Sequence, residues 1–124
     1  MDRFVAQDGR DFQDRTVQVD LVFAAGTSGA VPAALTYSAG IAKVVKSGDT
    51  YVVTFQDGYV AYLNGYGSNL QATYSASGAV LIQPSIVTTT DGVLVVTLQP
   101  LTAAGAAVAL AAGDIASFTF RLKG

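Results

Sequence analysis

The chain has 124 residues, a net charge of −2, 51% hydrophobic residues and 13% charged ones, with no His, Cys, Trp or Glu. Those absences exclude disulfides, thiolate or imidazole metal sites, cysteine nucleophiles and histidine general bases, and seven basic residues without a basic stripe argue against nucleic-acid binding. The length suits one domain that buries roughly two-thirds of its unfolded surface; with no basic and apolar leader, and Ala103 to Ala112 about half as long as a bilayer crossing needs, we expect no membrane partner and synthesis in a cytoplasm.

Residues 1–15 differ from the rest. Met1 to Arg15 carries seven charges, against nine in the other 109 residues, and only Phe4, Val5 and Phe12 are sizeable apolar groups. With no sustained period of two or 3.6, this segment reads as an extended arm in front of a β domain spanning 16–124. It is either a frayed terminus or an arm that orders on a neighbouring subunit, with Phe4, Arg10 and Phe12 reaching across.

After Arg15 the period is two. Val17, Val19, Leu21 and Phe23 alternate with Gln18 and Asp20, as in a strand with one buried face. Ala24 to Pro32 reads as a Gly/Ser loop and Leu35 to Ser38 as a short strand. Ile41 to Lys46 and Thr50 to Gln56 form a hairpin closed by Ser47-Gly48-Asp49. Asn64 to Asn69 reads as a loop, and Leu70 to Ser75 alternates like a strand that turns at Ala76-Ser77-Gly78 into Ala79 to Gln83. Pro84 cannot donate to a ladder and marks an edge or a bulge. Ser85 to Thr89 and Val93 to Gln99 form the clearest hairpin, around Asp91-Gly92. Val93 to Val96 is apolar on both faces, so it is either covered twice or exposes one face to a partner. Ala103 to Ala112 is a strand or loop, and Ile115 to Leu122 a final strand with Ala116, Phe118, Phe120 and Leu122 inward. About eight strands without a crossover helix predict an all-β fold, a β-sandwich that is jelly-roll-like or immunoglobulin-like.

The chain offers little chemistry. Asp8, Asp11 and Asp14 lack the ligand spacing and closing Glu of a calcium loop, and Arg10 and Arg15 among them favour salt bridging. Asp49, Asp57, Asp91 and Asp114 adjoin glycines in predicted turns, where a carboxylate hydrogen-bonds nearby backbone. No residue set supports catalysis, so we expect no enzyme, cofactor or metal. Tyrosine is more telling: Tyr59, Tyr62, Tyr66 and Tyr74 fall within sixteen residues. They are either sandwich residues at the core edge or an interface, and Tyr66, between two glycines, is the hardest to bury.

From Gly58 to Gly113 the only charged residue is Asp91, far below the usual quarter. Such a stretch predicts surfaces that end against other protein, with Leu94 and Val96 on the doubly apolar strand among the contacts. Gly40-Ile41-Ala42-Lys43-Val44-Val45-Lys46-Ser47-Gly48-Asp49-Thr50-Tyr51-Val52-Val53-Thr54-Phe55 resembles a pattern in small virion proteins of tailed bacteriophages. Thr102 to Ala107 with Gly113 to Phe120 is similar to the C-terminal half of that group. The resemblance, over about a third of the chain, implies a capsid decoration or cement protein. Such a protein is jelly-roll-like, sits outside an HK97-type shell, pairs with itself as a dimer or trimer, and clamps adjoining major capsid proteins. The rival expectation is a glycan-binding or receptor-binding module of a phage fibre, with tyrosines stacked on sugar rings.

Overall fold

The computed structural model describes residues 16–56, 59, 61–70 and 78–123. The arm, with Phe4, Arg10, Phe12 and the Asp8, Asp11, Asp14 series, lies outside the described residues. The described residues form seven strands: β1 (Thr16–Ala24), β2 (Ile41–Ser47), β3 (Thr50–Phe55), β4 (Ala61–Asn69), β5 (Ala79–Thr90), β6 (Val93–Thr102) and β7 (Ile115–Lys123). All pair antiparallel in one sheet of order β1-β7-β4-β5-β6-β3-β2. The fold is all-β, as the sequence indicates.

The sheet curls until its ends share one core. Phe23 on β1 lies 5.3 Å from Tyr51 on β3, ring centre to ring centre. Phe55 on β3 meets Phe120 on β7 edge-on at 4.9 Å, although three strands separate them in the sheet. Alternation supplies this interior: Val19, Leu21 and Phe23, then Tyr51, Val53 and Phe55, then Phe118, Phe120 and Leu122 are all buried. Strand β1 pairs along its length with β7. On its other side Val22 exchanges both backbone hydrogen bonds with Tyr37, at 2.9 and 3.0 Å. At the opposite end, β2 carries Lys43 and Lys46, and charge on an edge strand discourages further strand addition.

Both predicted hairpins form. Between β5 and β6, Asp91 and Gly92 take φ of 52° and 77°, the positive pair that a tight primed turn requires. Ala79 to Gln83 and Ser85 to Thr89 are a single strand, not two, because the register shifts between Pro84 and Ile86; the proline produces a bulge without ending the pairing. Leu35 to Ser38 contributes only the Tyr37 bridge. Ala103 to Ala112 is loop, joined to the sheet by an isolated bridge from Ala107 to Leu101 and by Leu110, which is buried in the core. Of the predicted strand Leu70 to Ser75, Leu70 follows the end of β4, and 71–75 lie outside the described residues.

Strand β4 corrects the reading of Asn64 to Asn69 as a loop. Its inward positions opposite Phe120 and Phe118 are Gly65 and Gly67, and the Phe118 ring occupies the space side chains would take. A methyl group on Gly65 would sit 2.6 Å from Phe118 Cε1 and 2.7 Å from the Thr119 carbonyl oxygen, closer than van der Waals contact permits. Asn69 then ties the end of the strand: its side-chain nitrogen donates to the Ala79 carbonyl at 3.0 Å, and its side-chain oxygen accepts from Ile115 N–H at 3.1 Å.

Tyr51 illustrates how the core handles a polar atom. Its hydroxyl donates to the Gly29 carbonyl at 2.6 Å, and its pKa is pushed up to about 12 by burial first, then by the carboxylates of Asp114 and Asp49. Asp114 is itself buried, and its carboxylate accepts from Ala111 N–H at 3.0 Å, the turn role predicted for it. Because the folded pKa of Tyr51 exceeds the ordinary value near 10, the folded chain keeps a proton that the unfolded chain releases. Its contribution is fully present below about pH 10 and fades as pH rises toward about 12, a loss on the order of 2 kcal/mol. Urea unfolding across that range should show the decline, and Tyr51→Phe should reduce it while lowering stability at neutral pH through the lost hydrogen bond.

Candidate functional site

The outer surface of the sheet divides into two halves of different chemistry. On β2, β3, β6 and β5, register places Val45, Val52, Thr97 and Ile86 side by side in one row. The next row is Lys43, Thr54, Val95 and Thr88. Val45 is 48% exposed and Ile86 56%. Lys43, at the sheet edge, is the single charge in these two rows. Past the Pro84 bulge Val87 pairs with Val96, yet Val87 is also exposed while Val96 is buried, so the hairpin end of β5 extends beyond the core.

The other half, on β1, β7 and β4, is polar and aromatic. Asp20 lies opposite Thr119, which lies opposite Tyr66. The adjoining rows are Val22, Ser117 and Ser68 on one side and Gln18, Arg121 and Asn64 on the other. Tyr66 projects from β4 with 73% of its surface exposed, and Tyr37, across from Val22, with 52%. Between β1, β7 and Tyr37 is a shallow depression of about 440 Å³. Gln18 Nε2 donates to both carboxylate oxygens of Asp20 at 3.3 Å, which orients that carboxylate within it. A second depression, about 260 Å³, adjoins Tyr66 over Leu81 and Gln83.

The residues singled out from sequence separate accordingly. Tyr59 is buried and packs edge-on against Phe55 at 5.8 Å. Tyr62 is half-buried against the core, where burial raises its pKa. Leu94 and Val96 point inward and are covered by this chain itself, which corrects their expected place at a partner contact, as burial also does for Tyr59. Within Val93 to Val96 the outward residues are Val93 and Val95. Tyr66 alone of the five described tyrosine and β6 candidates stands free of the core on the surface. Sequence reasoning did not single out Val45, Ile86, Tyr37 or Asp20, because each acquires its neighbours only through strand register.

Among the described residues no group of three or more acidic side chains is placed to hold a metal ion, and no helix is long and apolar enough to cross a membrane. Comparison with protein-family models, curated proteins and solved structures finds no match.

Proposed function

We propose that this protein is a structural virion protein that binds the outside of an icosahedral phage capsid and cements adjoining major capsid proteins. The observation that carries the reading is the Val45, Val52, Thr97, Ile86 row with Val95 beside it, an open β surface of branched side chains with one charge at its margin. Stable protein interfaces are depleted in charge at their centres and cover roughly 800 Å² per partner. β-branched residues on a strand give up little rotamer freedom when covered. The sequence resemblance to small tailed-phage virion proteins supports the shell as the partner. Self-association as a dimer or trimer and residence on the capsid exterior, after synthesis in the bacterial cytoplasm, belong to the same reading.

The mechanism is mass action. A protein that binds the assembled shell and not its separated parts stabilises the shell by its binding free energy. Sedimentation with undecorated shells of the parent phage tests this: the wild-type chain should pellet with them. Ile86→Asp should weaken attachment at least tenfold, about 1.4 kcal/mol or more, because a carboxylate would enter a desolvated contact. Since Ile86 is exposed, the same change should leave unfolding within about 0.5 kcal/mol of wild type. Equal attachment of both chains, or no attachment of either, would refute the proposal. Particles lacking the protein should also release DNA at lower temperature than decorated ones.

A further inference from the structure

The geometry points to a second binding site: the outer face of β1, β7 and β4 takes a neutral oligosaccharide, stacked on Tyr66 and Tyr37 and hydrogen-bonded by Asp20 and its neighbours. This site is on the half of the sheet that carries Asp20 and Arg121, away from the Val and Ile rows. It stands independently of the capsid reading.

Three observations carry it. First, two tyrosine rings are exposed at opposite margins of one surface, on frameworks that hold them in place: Tyr66 within a central strand and Tyr37 at a doubly hydrogen-bonded bridge. An aromatic ring presents a negative face, which attracts the weakly positive C–H face of a pyranose. From β4 across β7 and β1 to Tyr37 is three strand spacings, about 14 Å at about 4.8 Å each, a span suited to a short oligosaccharide and longer than a single ring.

Second, the ground between the tyrosines is made mainly of hydrogen-bonding side chains, with Val22 among them. Gln18, Asp20, Thr36, Ser117 and Thr119 line the depression, and hydroxyls both donate and accept. A carboxylate has room for about four hydrogen bonds, so Asp20, held by Gln18, can still accept from sugar hydroxyls. Charge-assisted bonds of this kind are the stronger ones and fix orientation.

Third, the strand at the centre of this surface is paired on both sides. Strand β7 pairs with β1 along one side and with β4 along the other, β4 also meets β5 at Gly67 and Ser68, and Tyr37 bridges the edge of β1 at Val22. An extended peptide that binds by joining a sheet needs unpaired N–H and C=O groups, which β7 does not offer. Over β7 a ligand is read by side chains. Asp20 and Arg121 offset one another in charge, which favours a neutral ligand over an anionic one.

The test is an array of neutral oligosaccharides, including bacterial surface glycans, probed with the purified full chain and followed by titration calorimetry on the glycan retained. Wild type should bind at least one neutral glycan. Tyr66→Ala should weaken it at least tenfold, Tyr37→Ala should weaken it as well, and Asp20→Asn should weaken it by severalfold. Each variant should keep the wild-type melting temperature. Ile86→Asp should bind the glycan as wild type does, while Tyr66→Ala should still sediment with shells, so the two sites fail separately. Retention of no neutral glycan, retention of anionic glycans only, or equal affinity in Tyr66→Ala and wild type would overturn the assignment.

Discussion

Gly67→Ala should destabilise the protein by about 3 kcal/mol, far more than the usual cost of one added methyl group. The new carbon would overlap Phe118 Cδ2 and lie 2.6 Å from the Ser117 carbonyl oxygen. The ring is buried on every other side, and the carbonyl belongs to β7, which pairs with β4 at this position. Neither can retreat without opening the ladder. Urea midpoints would measure the loss. Phe118→Ala in the same background should recover at least 1 kcal/mol relative to the sum of the single changes, because it removes one of the two obstacles. Loss of under about 1 kcal/mol in the single variant would mean that β4 does not need bare backbone at this point.

Phe120→Ala should cost about 3–5 kcal/mol, a large share of the 5–15 kcal/mol that holds a domain of this size together. Phe120 is fully buried, 4.6 Å from Phe118 and 4.9 Å from Phe55 between ring centres. It joins β7 to β3 across the interior, so truncation leaves a cavity bordered by both halves of the curled sheet. Thermal and urea unfolding should both report the loss. A cost below about 1.5 kcal/mol would show that the two ends of the sheet do not depend on each other. Tyr66→Ala, on the exposed face, provides the contrast and should change stability by no more than about 0.5 kcal/mol.

What the sequence made legible was local. The period-two runs in β1 and β7 named their buried faces correctly, and Asp91-Gly92 and Ser47-Gly48-Asp49 located their hairpins. Strand β4 was hidden because the cues that normally identify a strand are side chains. Here the inward side chains have been replaced by glycines to admit Phe118, which lies some fifty residues further along the chain. Leu94 and Val96 could not be told from Val93 and Val95 by pattern, since all four are apolar; pairing decided which two entered the core. The candidate sites were harder still. Tyr66 drew notice through its flanking glycines, but the Asp20, Thr119, Tyr66 row and the Val45, Val52, Thr97, Ile86 row each draw residues from three or four distant segments. No window of sequence contains either one.

The pairing of β1 with β7 has a consequence for how this molecule comes into being. Strand β1 has no strand partner along its length until β7 is available, with nearly the whole domain between them. The hairpins β2–β3 and β5–β6 can form locally, whereas the ladders of β1 and β4 with β7 bring together distant segments. Closure of so long a loop is entropically slow, so the hairpins form ahead of the β1–β7 ladder that completes the sheet.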